Sequence, residues 1–137
     1  MMTPKPTILV CDDEDSIRAA IRLVLERDYA LAFASDGEEA LETFRSRPVD
    51  LVLLDIKMPK KDGLEVLRAL MAAPSPPRVL MLTAYQSVEL AQRATDAGAI
   101  DYVTKPFDRA ALLKAVDRAL NLTSWPPHRP LGNQSSQ

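Results

Sequence analysis

Several things are scarce in this chain, and each scarcity closes off a class of protein. Of 137 residues only one is cysteine, Cys11, so no intramolecular disulfide framework exists and the composition suits a reducing compartment. Cys11 lies inside an apolar run and reads as a small buried hydrophobe. Only one residue is histidine, His128; it falls in a proline-rich stretch and reads as an incidental surface residue. Charge of one sign is missing too. Lys and Arg total 17 against 19 Asp and Glu, a net of −2, which lacks the positive field that carries non-specific nucleic-acid affinity. Direct nucleic-acid binding by this chain is therefore not expected. No apolar run approaches membrane-spanning length, and Met1-Met-Thr-Pro-Lys-Pro6 has no apolar centre of the signal-peptide kind. The expectation is a soluble, cytoplasmic protein with no membrane partner. Internal repeats are absent.

What is present is room for one well-buried core, over a length too short for two comfortable domains. Apolar runs suited to strands alternate with stretches of helical period, the sequence form of a parallel sheet with helices on both faces. Strands are predicted at Thr7 to Cys11, Ala30 to Ala34, Asp50 to Leu54, Arg78 to Thr83 and Ile100 to Val103. Ile17, Ala20, Ile21, Val24 and Leu25 recur at one-face helical spacing after an acidic start, Glu14-Asp15-Ser16. A second helix is predicted from about Gly37 to Ser46 with Ala40, Leu41 and Phe44 inward, and a third carries Leu64, Leu67, Leu70 and Met71. The fourth, Ser87 to Asp96, offers only Val88, Ala91 and Ala94 to a core. A helix that buries so little is weakly held and moves at low cost. Gly98 suits a helix stop, and a last helix, Asp108 to Leu120, presents Leu112, Leu113, Val116, Ala119 and Leu120. Beyond Asn121 the pattern ends in a Pro-, Ser- and Gln-rich segment that reads as linker or flexible tail. The expected division is one domain over 6–122 and a tail over 123–137.

The chemistry gathers at strand ends. The run Leu51-Val-Leu-Leu-Asp55 closes an apolar strand on a carboxylate, and Thr7-Ile-Leu-Val-Cys11 is followed by Asp12 and Asp13. The fourth strand ends on Thr83, and the fifth leads to Lys105-Pro106. In an open parallel sheet the reactive surface lies at the carboxyl ends of the strands, at the point where the strand order reverses. With the order 2-1-3-4-5 that point falls between the first and third strands, where the three carboxylates meet. They repel one another unless a cation joins them. Hard oxygen donors, few protein ligands and room for water favour Mg²⁺ over a caged Ca²⁺. With a Lys and a hydroxyl nearby, such a cleft is equipped to accept a phosphoryl group on Asp55.

Taken singly, each residue has an ordinary explanation. Asp12 and Asp13 suit helix caps, Thr83 a strand or cap position, and Lys105 a solvated surface lysine. Asp55 resists this, since an acid closing a fully apolar strand needs a partner. Finding each residue at the same end of its own strand is what favours the joint reading.

At this point the blocks Ile8-Leu-Val-Cys-Asp-Asp-Glu14, Asp50-Leu-Val-Leu-Leu-Asp-Ile-Lys-Met-Pro59 with Asp62-Gly63, Leu82-Thr-Ala84, and Gly98-Ala-Ile-Asp-Tyr-Val-Thr-Lys-Pro-Phe107 stand in one order. The chain resembles the receiver domains of two-component response regulators, the CheY-like superfamily, over about Pro6 to Leu122. The resemblance implies an α/β, flavodoxin-like, doubly wound five-stranded parallel sheet. It implies that Asp55 is the phosphoacceptor, that Asp12, Asp13 and Asp55 with the backbone carbonyl of Lys57 hold Mg²⁺, and that Thr83 and Lys105 contact the phosphoryl group. It further implies that Tyr102 turns inward with Thr83 on activation, that the Lys105-Pro106 bond is cis, and that the surface of the fourth helix, fifth strand and fifth helix changes as a result. Such a protein is a switch rather than an enzyme, catalysing only its own phosphorylation and dephosphorylation. Its partners are a sensor histidine kinase or phosphotransfer protein upstream and a downstream protein or effector domain, and a phosphorylation-dependent homodimer is compatible with it.

Three alternatives meet the same residues. A flavodoxin-like binder of a phosphate ligand needs backbone N–H groups and Gly or Ser in its first loop, and Asp12-Asp-Glu-Asp15 would repel that ligand. A haloacid-dehalogenase-type phosphatase needs a second acid two residues after its nucleophile, where Lys57 stands. The third concerns output: the chain is a stand-alone switch or the receiver portion of a longer sigma-factor-activating transcriptional regulator, whose receivers Leu82 to Glu89 and Asp101 to Phe107 resemble. Lys57 and Tyr85, each two positions after a site residue, are expected to flank the approach of water and to slow self-dephosphorylation.

Overall fold

The structure, a computed structural model, describes residues 4–84 and 88–122, with only the backbone of Val88. Tyr85, Ser87, His128 and the expected tail over 123–137 lie outside the described residues. The elements alternate strictly: β1 (Thr7–Cys11), α1 (Asp15–Leu25), β2 (Ala30–Ala34), α2 (Gly37–Ser46), β3 (Leu51–Asp55), α3 (Gly63–Met71), β4 (Arg78–Ala84), α4 (Val88–Asp96), β5 (Asp101–Lys105) and α5 (Arg109–Leu120). The strands form one parallel sheet in the order β2-β1-β3-β4-β5. Every residue of β3 is buried, as a central strand covered on both faces requires.

Side-chain alternation divides the core in two. Ile8 and Val10 of β1, Leu51 and Leu53 of β3, and Leu80 and Leu82 of β4 meet Ile21 and Leu25 of α1 and Leu112, Val116 and Ala119 of α5. Their neighbours Leu9, Cys11, Val52, Leu54, Val79 and Met81 meet α2, α3 and α4 on the other face. Right-handed crossovers that reverse direction after β2 put α1 on one face and α2, α3 and α4 on the other, and α5 packs back on the face of α1.

Three helices begin on an aspartate that accepts a hydrogen bond from the third helical N–H: Asp36 from Glu39 at 2.8 Å, Asp62 from Glu65 at 3.0 Å and Asp108 from Ala111 at 2.7 Å. Backbone contacts with Glu39 outweigh slight desolvation and, with Lys60, hold the Asp36 carboxyl below its usual range. Gly98 has φ of +120° and closes α4, its N–H donating to the Thr95 carbonyl at 3.1 Å.

Three strands depart from the sequence expectation, and β4 does so by running one residue further, to Ala84, which pairs with Lys105. Asp50 lies outside β3, its carboxylate accepting the backbone N–H of Thr7 at 2.8 Å; at its other end β3 includes Asp55, which pairs with Leu82 of β4. The fifth strand starts at Asp101 rather than Ile100 and continues to Lys105, paired with Ala84. Lys105 is thus fixed on the sheet instead of following it in a loop. Asp108 is the cap of α5 rather than its first residue. Among the expected inward residues, Ile17, Ala20, Val24, Phe44, Met71, Leu113 and Leu120 are only half-buried, and Val66 is a core residue the spacing did not single out.

Candidate functional site

The carboxyl ends of β1, β3, β4 and β5 open on one side of the sheet. Cys11 pairs with Leu54, so the next step along both strands sets Asp12 beside Asp55. Asp12, Asp13 and Asp55 each bring a carboxylate oxygen within 4.8 Å of the others. Asp12 and Asp55 are buried, whereas Asp13 is exposed at the mouth. A cavity of about 380 Å³ is lined by Asp13, Glu14, Asp55, Lys57, Thr83 and Lys105, among others.

Lys105 is the cation of this group. Its Nζ lies 2.6 Å from Asp12 Oδ2, 3.2 Å from Asp55 Oδ2 and 3.7 Å from Glu14 Oε1. The contact with Asp55 is a hydrogen bond. That with Asp12 is a charge contact without hydrogen-bond alignment, which leaves a fully buried carboxylate oxygen lacking an aligned donor. Burial disfavours the charge on Lys105, but its contacts with Asp12 and Asp55 prevail and raise its pKa. Asp55 is affected oppositely by its surroundings. Desolvation and the adjacent Asp12 push its carboxyl up to about 6, against the pull of Lys105 and the Lys57 N–H.

The remaining oxygens are oriented by backbone. Asp55 Oδ1 accepts from the Lys57 N–H at 3.3 Å, and Asp12 Oδ1 accepts from the Glu14 N–H at 2.9 Å. Asp12 thus braces its own turn and does not cap α1, whose capping position is Glu14 without a side-chain cap bond. Thr83 is 3% exposed, and its hydroxyl donates to the Ala84 carbonyl at 3.1 Å. Tyr102, on the edge strand β5, is 38% exposed. The Lys105-Pro106 bond is cis. Of the expected site residues, Asp12, Asp13, Asp55, Lys57, Thr83 and Lys105 converge on one cleft; Tyr102 lies on the neighbouring surface.

Donor chemistry tests what this cleft fits. Three carboxylates and one ammonium leave two negative charges, the charge of one divalent cation, and every free donor is a hard oxygen. The unaligned Asp12 Oδ2 supplies a buried acceptor for such an ion. Buried Cys11 does not contribute: burial first, then Glu39 and Asp12, push its thiol up, so it stays protonated and inert. One residue was missed in the sequence. Arg18 of α1 donates from Nη1 to the Asp12 carbonyl at 2.6 Å and pairs with the Asp15 carboxylate. Its i, i+3 spacing from Asp15 was the available signal.

Residues 8–117 match the response regulator receiver domain family. The chain is 39% identical to the regulatory protein AtoC of Escherichia coli K12 over 124 residues, covering 90% of this chain and 27% of AtoC. It is 36% identical to protein CcdB of Bacillus subtilis over 115 residues, covering 82% of this chain and 96% of CcdB. Among solved structures, the chemotaxis response regulator CheY4 of Vibrio cholerae superposes with a TM-score of 0.78 at 32% identity, over 85% of this chain and 99% of that one. The chain thus spans about a quarter of AtoC, about half of several other curated relatives and nearly all of CcdB.

Proposed function

The chain belongs to the response regulator receiver domain family, and on that footing we propose that Asp55 accepts a phosphoryl group from a histidine kinase or phosphotransfer protein. A receiver domain is the signalling switch of a two-component system. The observation that carries the acceptor assignment is the pairing of Asp55 with Lys105 at 3.2 Å inside a cleft with two further carboxylates. An Asp55 oxygen attacks phosphorus, the bond from phosphorus to the donor nitrogen breaks, and the imidazole leaves as its electron pair takes up a proton. Lys105 neutralises phosphoryl oxygens as they swing toward the protein, and the Thr83 hydroxyl binds one of them in the product. Asp12, Asp13, Asp55 and the Lys57 carbonyl would hold Mg²⁺, which supplies charge neutralisation to the same oxygens. The reaction is the protein's own modification and its reversal, with no other substrate turned over.

The output reading rests on the exposed Tyr102 and the alanine-lined seat of α4. Phosphate adds charge and acceptor oxygens, draws Thr83 toward Asp55 and frees space for Tyr102 to rotate inward. The surface of α4, β5 and α5 then changes for a downstream protein, a linked effector domain or a second copy. No described helix is long and apolar enough to cross a membrane, and this reading assigns the chain to the cytoplasm. AtoC extends well beyond the matched part, which supports a receiver borne on a longer regulator; CcdB is of receiver length, which supports a stand-alone switch. The acceptor assignment is tested by mass spectrometry after incubation with a small phosphodonor and Mg²⁺. The native chain gains one phosphoryl group, chelation suppresses it, and Asp55→Asn abolishes it. Undiminished labelling of the Asn variant would overturn the assignment.

A further inference from the structure

We propose that Arg18 is a positioning residue for the divalent-cation site, an inference that rests on the receiver reading of Asp12, Asp13 and Asp55. The turn from β1 to α1 carries four consecutive carboxylates, Asp12-Asp-Glu-Asp15, which repel one another. Lys105 answers that charge from within the cleft, and Arg18 answers it from the outer side. Its guanidinium, with a side chain 21% exposed, spans the turn from the Asp12 carbonyl to the Asp15 carboxylate. The Asp12 N–H donates to the Ala34 carbonyl at 3.1 Å, and Asp12 Oδ1 accepts from Glu14. The first bond holds the peptide before Asp12 and the second engages the peptide after Asp13, so Nη1 on the Asp12 carbonyl holds the one peptide plane between them.

That plane matters for Asp13 more than for Asp12. The Asp12 carboxylate is confined by burial and by Lys105. Asp13 is exposed, so the direction in which its side chain leaves the backbone is what keeps its carboxylate at the mouth of the cleft. The orientation of the preceding peptide sets that direction, and Arg18 holds that peptide. Groups that orient metal ligands in this way contribute to affinity without touching the ion.

Charge and geometry make opposite demands here, which renders the proposal decidable. As a nearby positive charge, Arg18 repels a cation, so its removal would tighten Mg²⁺ binding on electrostatic grounds alone. As the brace of the turn, its removal weakens binding. The measurement is the thermal-unfolding midpoint of the whole chain as a function of Mg²⁺ concentration, which yields affinity through the stabilisation of the folded state. Arg18→Met is expected to need about tenfold more Mg²⁺ for the same shift, and Arg18→Lys, which keeps a donor and the charge, to fall between it and the native chain. A merely structural role lowers the metal-free midpoint and leaves the Mg²⁺ requirement unchanged. Should the Met variant not fold, the Lys variant decides alone, since an unchanged or lower Mg²⁺ requirement overturns the proposal. In an Asp13→Asn background, Arg18→Met should add little further loss if it acts through Asp13; a full additional tenfold loss overturns that route. A native chain that does not respond to Mg²⁺ refutes the cation site itself, whereas a responsive native chain beside an equally responsive Met variant refutes Arg18 alone.

Discussion

Two consecutive strand–helix units of this sheet are built to opposite standards. The β3–α3 unit carries Asp55 and is anchored at every step. Gly63 packs so closely that an added Cβ would stand 2.3 Å from the Asp55 carbonyl, and its N–H donates to the Ile56 carbonyl at 2.7 Å. Asp62 and Glu65 form a reciprocal capping box, and α3 buries Leu64, Val66, Leu67 and Leu70. The β4–α4 unit carries Thr83 and is lightly held. Buried side chains described on α4 are Ala91 and Ala94, with Leu90 partly packed. Because burial stabilises by roughly 25 cal/mol per Å² of apolar surface, two alanines hold a helix far less firmly than three leucines and a valine. The difference suits a switch: the proposed phosphoacceptor sits on the firmly held unit, and the proposed output surface on the one that is lightly held.

Removing the anchor should give the largest effect. Leu67 is fully buried in α3, and Leu67→Ala is expected to cost about 2–5 kcal/mol in denaturant unfolding, as large-to-small core changes do. Ala94 is equally buried on α4, yet Ala94→Gly removes one methyl and should cost only about 1 kcal/mol. Equal losses at the two sites would erase the contrast.

The rigid unit also carries an electrostatic load, and pH exposes it. The Asp55 carboxyl is pushed up to about 6, first by burial and then by Asp12, so the folded protein binds its proton more tightly than the unfolded chain does. The stabilising contribution of the protonated form is therefore lost as pH rises through about 6. In the presence of chelator, Asp55→Asn should be more stable than the native chain by about 2 kcal/mol at pH 7 to 8, with the advantage vanishing below roughly pH 4. Adding Mg²⁺ should narrow the gap at neutral pH by stabilising the native chain alone. A native chain as stable as the Asn variant across that range, without metal, would show that the carboxylates bear no strain.

Much of this architecture was legible in the sequence, because parallel strands buried on both faces leave unbroken apolar runs and the residues that follow them stand out by polarity. Asp12, Asp13, Asp55, Thr83 and Lys105 were found that way. What escaped depended on contacts between distant parts of the chain. The strand limits differ where Asp50 bonds to Thr7 and where β5 pairs through Lys105 with Ala84, neither of which periodicity encodes. Arg18 was missed because its contact depends on a turn that brings the Asp12 carbonyl within reach of the helix. Val66 lies in the core of α3 because the helix is pressed between the sheet and its neighbours, widening its buried face beyond the simple stripe.

The start of α3 tests a smaller part of the contrast. Asp62 accepts from the Glu65 N–H at 3.0 Å, and Glu65 Oε1 accepts from the Asp62 N–H at 3.3 Å. Asp62→Ala removes one half of that box and should lower stability by about 1 kcal/mol. Asp62→Asn keeps an acceptor and should recover most of the loss. An Ala variant as stable as native would mean that Gly63 and the core alone hold the loop.

The smallest effect is local and bears on α4 itself. Gln92 is exposed, and its amide donates to the Asp96 carboxylate at 3.0 Å one turn along the helix. Gln92→Gly replaces a good helix former with the most flexible residue, at a cost of about 1 kcal/mol, or roughly a fivefold change in an opening equilibrium. If α4 opens on its own, hydrogen exchange of its amides should accelerate by about that factor, while α3 amides and the global unfolding midpoint stay nearly unchanged. The matching change on the anchored unit is Ala69→Gly, at an exposed position of α3. There no independent opening is available, so the same intrinsic penalty should appear in the global midpoint instead. A global loss from Gln92→Gly equal to that from Ala69→Gly, without selective exchange in α4, would show that both helices belong to one cooperative unit and that the switch surface is not separately poised.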